Sequence, residues 1–312
     1  MTGRRGCQDM PQVLYVLGRG RSGSTVFAQA LGALDGFFSA GEVRVLWDPV
    51  LTNGSACACG QPVPDCPIWS EVLARLDHVD QDQAARWQRE VVNEFRLPRL
   101  LRHRAPGRWP ALAGYRRVMA QVYTAITEVT GCRTVVDSSK RPSYALVVRH
   151  LPGSEAYFVH LVRDPRACAY SWRTRRHTGA SGTVVRQHGA VDATLRWDLL
   201  NLGAEAVLRS AGSDRSLQLR YEDFVAAPRQ AVDQVAALVD GPPASTAFVD
   251  ERTVRAPASH ALAGNPARQR SGPVVVQADE QWSSGQRAVD RWLASAVASP
   301  LMWRYGYPLR TR

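Results

Sequence analysis

The stretch from Leu14 to Leu31 reads LYVLGRGRSGSTVFAQAL, and it decides the fold of the chain around it. An apolar run ends in a turn with three glycines, and a Ser-Thr pair then opens an amphipathic helix. Backbone N–H groups of such a turn and of the helix N-terminus converge on an anion, and the helix dipole adds to the attraction. The stretch therefore predicts a strand, a phosphate-binding loop and a helix, in that order.

The loop is similar to the nucleotide-binding P-loop, G-x-x-x-x-G-K-[ST], in the spacing of Gly18 and Gly23. It departs from that pattern at Ser24, which stands where an NTPase carries lysine. The cation of this loop is instead Arg21, which precedes the second glycine of the motif. A phosphate loop without the Walker lysine favours a donor other than ATP. A P-loop kinase or NTPase is the alternative, and it predicts a Walker-B aspartate that holds Mg²⁺.

The chain is strongly basic, with 39 basic and 28 acidic residues and a net charge of +11. Lys140 is its single lysine, so almost every basic side chain is an arginine. Arginine binds phosphate and sulfate through a bidentate fork, which suits an anionic ligand, although a GC-rich bacterial genome produces the same bias. Nucleic acid is the other partner class for such a charge. We expect no nucleic-acid partner, because the sequence shows no reader module.

No apolar run in the sequence is long enough to cross a membrane, and the first strand begins too early to leave room for a secretory signal. We therefore expect no membrane span and a cytoplasmic location. The length suits one large α/β domain. We interpret residues 1–312 as a single domain in which residues 13–31 form the phosphate loop and its helix.

Three of the six cysteines lie in one short segment, at Cys57, Cys59 and Cys66. Six cysteines in a chain of this length do not resemble a disulfide scaffold. The spacing of the three is compatible with Zn²⁺ if a fourth ligand, either His78 or Cys7, folds beside them. A group of reduced cysteines in a tight loop explains the same spacing. Both interpretations stay open at the level of the sequence, and no catalytic metal is assigned.

Three further strand–turn–helix units follow along the chain. Strands are predicted at residues 133–137, 156–162 and 216–221, and helices at residues 142–150, 167–176 and 228–239. Such units imply an α/β fold with a P-loop-like parallel sheet and helices on both faces. Ligands of these folds gather at the carboxyl ends of the strands. Residues 70–130 have helical spacing and many Arg and Trp, and we interpret them as an inserted helical layer on the acceptor side.

A second group of anion-binding side chains follows the most apolar predicted strand. Arg163 ends that strand, Ser171 lies two helical turns further on, and Arg175 lies one turn beyond Ser171. Residues four positions apart lie on the same face of a helix, so Ser171 and Arg175 can face one ligand. The group predicts a second phosphate site. Two such sites indicate a donor with phosphates at both ends of a nucleoside.

Together these motifs resemble the sulfotransferase family. The pattern consists of RSGST at residues 21–25, VRDPR at residues 162–166 with Ser171, and RYED at residues 220–223. The resemblance runs from about Val13 to Trp282 and is closest to the carbohydrate and tyrosylprotein branches. It implies a P-loop-like parallel sheet and 3′-phosphoadenosine 5′-phosphosulfate as the donor. The implied reaction moves a sulfuryl group to a hydroxyl or amine of a small molecule, lipid or carbohydrate, and it requires no metal.

The resemblance also implies which residues bind the donor. The 5′-phosphosulfate is bound by the first loop, namely Arg19, Gly20, Arg21, Ser22, Gly23, Ser24 and Thr25. The 3′-phosphate is bound by Arg163 and Ser171, and Arg175 resembles a further arginine of the tyrosylprotein branch. Tyr221 resembles the tyrosine on the nucleoside side. A tail loop commonly closes over the 3′ end of the donor, and its candidates here are Asn265 and Arg268.

Three residues are candidates for the transfer itself. Glu42 is the candidate base, because Gly41-Glu42 resembles the Gly-Glu step that carries the catalytic glutamate of the tyrosylprotein branch. Arg21 can neutralise the leaving oxygen but cannot act as a base. Lys140 either assists the transfer or lies exposed at the start of a helix. If Glu42 only pairs with a surface arginine, the remaining candidates for the base are His160, His177 and His260.

Overall fold

A computed structural model describes residues 10–47, 56–102, 108–174 and 187–309 of the chain. The strands in these ranges are β1 (Gln12–Leu17), β2 (Phe37–Gly41), β3 (Thr134–Lys140), β4 (Glu155–Val162), β5 (Ser216–Arg220), β6 (Thr253–Ala256) and β7 (Gly272–Val275). The α-helices are α1 (Ser24–Leu31), α2 (Pro67–Ala74), α3 (Gln81–Val91), α4 (Leu97–Arg102), α5 (Pro110–Thr130), α6 (Pro142–Val148), α7 (Pro165–Thr174), α8 (Ala190–Ala211), α9 (Tyr221–Ala226), α10 (Pro228–Leu238), α11 (Gln281–Gly285) and α12 (Ala288–Arg304).

Five parallel strands form the central sheet in the order β2-β3-β1-β4-β5. Strands β6 and β7 form a separate antiparallel pair. Parallel neighbours need crossover connections, and the helices that supply them cover both faces of the sheet. The predicted α/β class, a P-loop-like parallel sheet with helices on both faces, is confirmed. The order places β1 in the centre, so the loop after β1 lies between the ends of β3 and β4.

The two largest apolar clusters lie on opposite faces of β1. Tyr15 and Leu17 face one cluster, together with side chains of α5 and α6, whereas Leu14 and Val16 face the other, with side chains of α1 and α10. Successive side chains of a strand point to opposite faces, so a continuous apolar run such as that of β1 is what a strand buried on both sides requires. This burial holds the first loop on a rigid base.

Two strands differ from the sequence prediction, and both changes affect the site. No strand is predicted between the first helix and Glu42, but residues Phe37–Gly41 form the edge strand β2. Strand β3 continues to Lys140, past its predicted end at Asp137, and it carries one extra residue between the pairs Tyr15–Asp137 and Leu17–Lys140. Glu42 and Lys140 therefore lie at the carboxyl ends of two neighbouring strands.

Residues 67–130 contain the four helices α2 to α5, between β2 and β3 in the chain. Helical structure was predicted for this region from its spacing. None of the helices in the described ranges has both the length and the apolar character that crossing a bilayer requires.

Candidate functional site

The loop after β1 reverses the chain through Gly18, with φ of 143°, and Gly23, with φ of 82°. Helix α1 begins directly after Gly23, which has no side chain with which to cap it. The N–H groups of the first helical turn have no partner within the helix, so they are left for a ligand. Arg21 has φ of 80°, a conformation that costs a non-glycine residue about 1–3 kcal/mol.

Two buried polar atoms of this loop lack a hydrogen-bond partner within the part of the chain that the structure describes. They are the Ser22 Oγ and the Arg19 Nε. Burial lowers the pKa of Arg19 to about 10, which still leaves its guanidinium charged at neutral pH. A buried donor without a partner costs about 1–3 kcal/mol, so the loop is incomplete by itself. An anion with several acceptor oxygens fits these donors.

Trp172 of α7 supports the first loop from one side. Its Nε1 donates a hydrogen bond to the carbonyl of Gly20 at 3.0 Å, and the guanidinium of Arg19 lies 4.2 Å from the centre of its ring. Tyr221 supports the loop from another side, since a Cβ on Gly23 would lie 2.4 Å from the tyrosine ring. Trp172 was not among the predicted site residues, and its place next to the predicted Ser171 is the one local signal for it.

Arg163 directly follows β4 and contacts the first loop. Its guanidinium donates to the carbonyl of Arg21 at 3.0 Å and to that of Asp279 at 2.8 Å, and it lies 3.4 Å from the Asp279 carboxylate. It also lies 4.5 Å from the centre of the Tyr221 ring. Ser171 is buried on α7, the helix that follows Arg163. The structure thus brings Arg163 and Tyr221 to the first loop.

The remaining member of the predicted second phosphate site, Arg175, lies outside the described residues, and so does the candidate base His177.

Glu42 and Lys140 form an ion pair at the carboxyl edge of the sheet. The Lys140 Nζ lies 2.6 Å from the Glu42 Oε1 and donates a second hydrogen bond to the Ser138 carbonyl at 2.7 Å. Arg44 lies 3.8 Å from the other carboxylate oxygen. Burial acts to raise the pKa of Glu42, but the charges of Lys140 and Arg44 outweigh it and lower that pKa from its ordinary value. The carboxylate is therefore ionised at neutral pH.

This ion pair lies beside the first loop. The carbonyl of Lys140 accepts a hydrogen bond from the Gly18 N–H at 3.4 Å. The Glu42 Oε1 and the Thr25 Oγ1 both lie 3.8 Å from the point that a Cβ on Gly264 would occupy. A carboxylate, an ammonium group and the N-terminus of α1 therefore meet at one end of the sheet.

A segment from the C-terminal third of the chain, residues 257–265, meets the open side of β2 at Leu262. The Leu262 N–H donates to the Ala40 carbonyl at 2.9 Å, and the Leu262 carbonyl accepts from the Glu42 N–H at 2.8 Å. Gly41 has φ of 78°, and a Cβ there would lie 2.2 Å from the Leu262 carbonyl oxygen. Only glycine fits at this position, which explains why a glycine precedes Glu42.

The two tail residues that were predicted to contact the donor lie on the Glu42 side of the loop. Asn265 caps the short 3₁₀ helix Pro266–Gln269 with its side chain. Arg268 donates to the carbonyl of Ala56 at 3.3 Å, and its charge interacts with that of Glu42.

The two described histidines among the alternative bases have different surroundings. His160 is fully buried, and its ring packs edge-on against Tyr305. Its Nε2 donates to the Asn201 Oδ1 at 2.8 Å, since the amide nitrogen of Asn201 bonds elsewhere. Burial lowers the pKa of His160 to about 4. His260 lies in the segment beside β2, and its Nδ1 is 3.2 Å from the Cys66 Sγ.

The inserted helical layer meets the site through Glu94, which was not among the predicted site residues. Its carboxylate accepts hydrogen bonds from the Ser143 N–H at 3.1 Å and the Ser143 hydroxyl at 2.9 Å. It also pairs with the Arg141 Nε at 2.9 Å. Because Arg141 directly follows Lys140, Glu94 holds the turn that ends β3.

Comparisons with known proteins agree with this architecture. No curated protein sequence matches the chain. The solved sulfotransferase domain from the curacin biosynthetic pathway is 17% identical with a TM-score of 0.51, and the match covers 97% of this chain and 100% of that one. A sulfotransferase from Mycobacterium avium is 13% identical with a TM-score of 0.49, over 97% of this chain and 79% of that one. The first of these likenesses shows a shared fold.

The family model described as "Sulfotransferase family" matches residues 12–242. That range contains the first loop, all five strands of the central sheet and the helices that connect them. The chain therefore belongs to the sulfotransferase family.

Proposed function

We propose that this sulfotransferase uses 3′-phosphoadenosine 5′-phosphosulfate and transfers its sulfuryl group to a hydroxyl or amine of a small molecule, lipid or carbohydrate. The observation that carries the proposal is the Glu42–Lys140 ion pair beside a loop with unsatisfied buried donors. Sulfuryl transfer needs a proton acceptor, a cation near the transferring oxygens and a cradle for the leaving phosphate. The kinase alternative is not favoured, because Ser24 occupies the position of the Walker lysine.

We propose that the first loop, residues 19–25, binds the 5′-phosphosulfate. The Ser22 Oγ and the Arg19 Nε would gain the acceptors that they lack, and the N-terminus of α1 at Ser24 and Thr25 would face the negative charge. Arg21 would neutralise the leaving phosphate oxygen. Trp172 would hold the loop in shape through its hydrogen bond to the loop backbone.

Arg163 and Ser171 are the proposed ligands of the 3′-phosphate, with Arg175 as a further candidate. Tyr221 is proposed for the nucleoside side. The buried guanidinium of Arg163 now contacts the Asp279 carboxylate, so a phosphate would replace one anionic partner by another. Arginine suits this exchange, because its planar guanidinium donates hydrogen bonds to two oxygens at once.

The tail residues Asn265 and Arg268 are proposed as further donor contacts. The inserted helical layer is proposed for the acceptor side, since Glu94 connects it directly to the end of β3.

The bound donor supplies a sulfuryl group attached to a phosphate leaving group. Glu42 is proposed to take the proton from the acceptor hydroxyl, and Lys140 to stabilise the charge on the transferring oxygens. While Lys140 pairs with Glu42, the carboxylate is ionised but weakly basic. When the ammonium group shifts toward the anion in the loop, the pKa of Glu42 rises and the carboxylate becomes a stronger base. Positioning and electrostatics supply the rate, as in phosphoryl transfer.

The Glu42→Gln substitution tests this function, because it keeps the size of the side chain and removes its basicity. The assay for this test is the release of 3′-phosphoadenosine 5′-phosphate from the donor in the presence of alcohol, sugar, phenol or amine acceptors. With the acceptor that supports turnover, Glu42→Gln should lower the rate by about 10²–10⁴-fold, the usual contribution of a general base. Donor affinity measured by calorimetry should stay unchanged. Glu71→Gln, at an exposed position on α2, is the matched control.

A rate within a few-fold of the wild type would remove Glu42 as the base. Of the two described histidines among the alternatives, His260 would then be the candidate, because His160 is fully buried. Loss of donor affinity in the variant would instead assign Glu42 to the support of the first loop. Absence of both donor binding and product release for the wild-type chain would overturn the proposed donor.

A further inference from the structure

Four side chains that commonly bind metals lie together outside the groups proposed for sulfuryl transfer. Their ligand atoms all lie within 4.8 Å of one another, and the residues are Cys57, Cys59, Cys66 and His260. From the sequence, either His78 or Cys7 is expected as the fourth ligand beside the cysteines. The structure places His260 there instead. His78 lies beside Asp77 after α2, and Cys7 lies outside the described residues.

We propose that these four side chains bind a structural zinc ion in a Cys₃His site. Tetrahedral Zn²⁺ holds sulfur at about 2.3 Å and nitrogen at about 2.0–2.1 Å, which places the ligand atoms about 3.5–3.8 Å apart. The upper limit of 4.8 Å in this cluster exceeds that spacing by about 1 Å, so small rotations of the side chains close the site. Four protein ligands leave no position for water or substrate, which is the pattern of structural zinc sites.

The backbone around the first two cysteines forms a tight turn. The Cys57 N–H donates to the Gln61 carbonyl at 2.8 Å, and the Gly60 N–H donates to the Cys57 carbonyl at 3.0 Å. Gly60 has φ of 90°, a conformation that glycine adopts without steric cost. The turn holds Cys57 and Cys59 close enough for both sulfur atoms to belong to the cluster.

The other two ligands are held by α2 and by its contact with the segment beside β2. Cys66 directly precedes α2 and is fully buried. Trp69 of that helix, also fully buried, donates its Nε1–H to the His260 carbonyl at 2.6 Å. Such contacts orient metal ligands before the ion binds. Cys59 is exposed, so the ion has a route of entry from solvent.

The charge around the cluster also suits three thiolates. Together with Zn²⁺ they carry a net charge of −1. The guanidinium of Arg268 interacts electrostatically with Cys57 and donates to the carbonyl of Ala56, the residue before it. A cation next to the site therefore offsets the excess negative charge.

The site would fasten the segment beside β2. His260 lies two residues before Leu262, whose backbone bonds to the N–H of Glu42. The Ala58 N–H also donates a hydrogen bond to the carbonyl of Ala261, in the same segment, at 3.2 Å. A zinc ion coordinated by the three cysteines and by His260 would connect the cysteine-bearing stretch to the segment beside β2. It would thereby hold the backbone of Glu42 in place. The importance of this contact for catalysis rests on the proposed role of Glu42, whereas the metal site itself does not rest on the proposed function.

Metal analysis of the full-length protein, produced in medium with zinc and purified without chelators, tests the site. We expect about one zinc ion per chain, the stoichiometry of a single tetrahedral site. Cys66→Ser and His260→Ala should each lower the zinc content sharply. Cys132→Ser is the matched control. Cys132 is a buried cysteine in the connection between α5 and β3, and it lies outside the cluster. His78→Ala is the second control, and it should retain the ion.

Cobalt substitution supplies a readout that survives if a core variant fails to fold. The wild-type chain with Co²⁺ should show intense thiolate-to-cobalt charge-transfer bands and the visible bands of tetrahedral geometry. Cys59→Ser alters an exposed ligand, so it should fold and show weaker charge transfer from two thiolates in place of three.

Three outcomes would overturn the zinc site. One is a zinc content well below one ion per chain together with six reactive thiols after denaturation, which would show that the cysteines are reduced and bind no metal. Another is the loss of two reactive thiols, which identifies a disulfide. The third is equal zinc content in the wild type and in every ligand variant, which identifies adventitious binding. Because none of these measurements uses the donor, a chain that binds zinc but transfers no sulfuryl group would contradict only the proposed function.

Discussion

Arg21, Lys140 and Ala263 adopt backbone conformations that most side chains avoid, with φ of 80°, 69° and 48°. Among the described non-glycine residues, only Asp240 shares this feature. The three lie in the first loop, at the end of β3 and in the segment beside β2. Each such residue costs about 1–3 kcal/mol, and such residues cluster at functional sites, where the surroundings impose the strain. The rest of the fold therefore stabilises a strained arrangement around Glu42.

Arg163→Ala tests the second phosphate site at the level of one side chain. Loss of a charge-assisted hydrogen bond to the 3′-phosphate should weaken binding of 3′-phosphoadenosine 5′-phosphate by about 1.5–3 kcal/mol. Adenosine 5′-phosphosulfate, which lacks the 3′-phosphate, should lose little affinity. Calorimetric titration measures both, and Arg229→Ala on the exposed face of α10 is the control.

An equal loss of affinity for the two nucleotides would contradict the 3′-phosphate assignment. It would indicate that Arg163 acts by holding the first loop through the Arg21 carbonyl.

Site residues that belong to a local sequence motif could be predicted from the sequence. Site residues that reach the site only through tertiary contacts could not. The first loop and Arg163 were each predicted at the carboxyl end of a strand, and the structure places them there. Lys140 was predicted at the start of a helix, and the structure places it in the last position of β3. Trp172 contacts Gly20 across 152 positions of sequence, and His260 contacts Cys66 across 194. No periodicity or spacing extends over such separations, so these contacts required the fold.

Strand β2 shows why one element of the sheet could not be predicted. Its sequence, FFSAG, has five residues, of which three are small, so its own β-propensity is weak. It becomes a strand because β3 pairs with it on one side and Leu262 on the other. By contrast, β1 and β4 are long apolar runs, and their pattern alone indicated buried strands of a parallel sheet.

The packing of the first loop against α9 depends on Gly23. In Gly23→Ala the new Cβ would meet the Tyr221 ring at 2.4 Å and would also occupy a residue with φ of 82°. We expect affinity for 3′-phosphoadenosine 5′-phosphate to fall at least about tenfold, which needs only about 1.4 kcal/mol. Gly36→Ala is a matched control, since Gly36 has φ of 76° but nothing within 4 Å of its Cβ position.

The difference between these two variants, measured by calorimetry, isolates the steric contact from the backbone strain that both share. Equal affinities in both would mean that the loop accommodates a larger residue at Gly23.

Burial of His160 makes the stability of the molecule depend on pH. The pKa of His160 is lowered by burial to about 4, while in the unfolded chain it is about 6.5. The unfolded chain therefore binds this proton first, so stability is complete above the unfolded value and falls as pH drops toward 4. The loss from this group reaches on the order of 3 kcal/mol. His160→Gln removes the titration and keeps a donor for Asn201.

Urea unfolding at several pH values measures this effect. The free energy of unfolding of the wild type should decline relative to that of His160→Gln as pH falls through this window. The raised pKa values of Asp137 and Asp198, both about 6, act in the opposite direction but are common to the two proteins. Parallel curves would show that burial leaves the His160 pKa at its ordinary value.

The contact between Leu262 and β2 has a consequence for the chain during its synthesis. All five strands of the central sheet have left the ribosome soon after Arg220 is made, but Leu262 follows about 40 residues later. At about 5–20 residues per second, the outer edge of β2 stays uncovered for several seconds. Its unpaired N–H and C=O groups can then pair with another nascent chain. Translation pauses between these two residues would therefore lower the yield of native protein, although every catalytic residue proposed here has already been made.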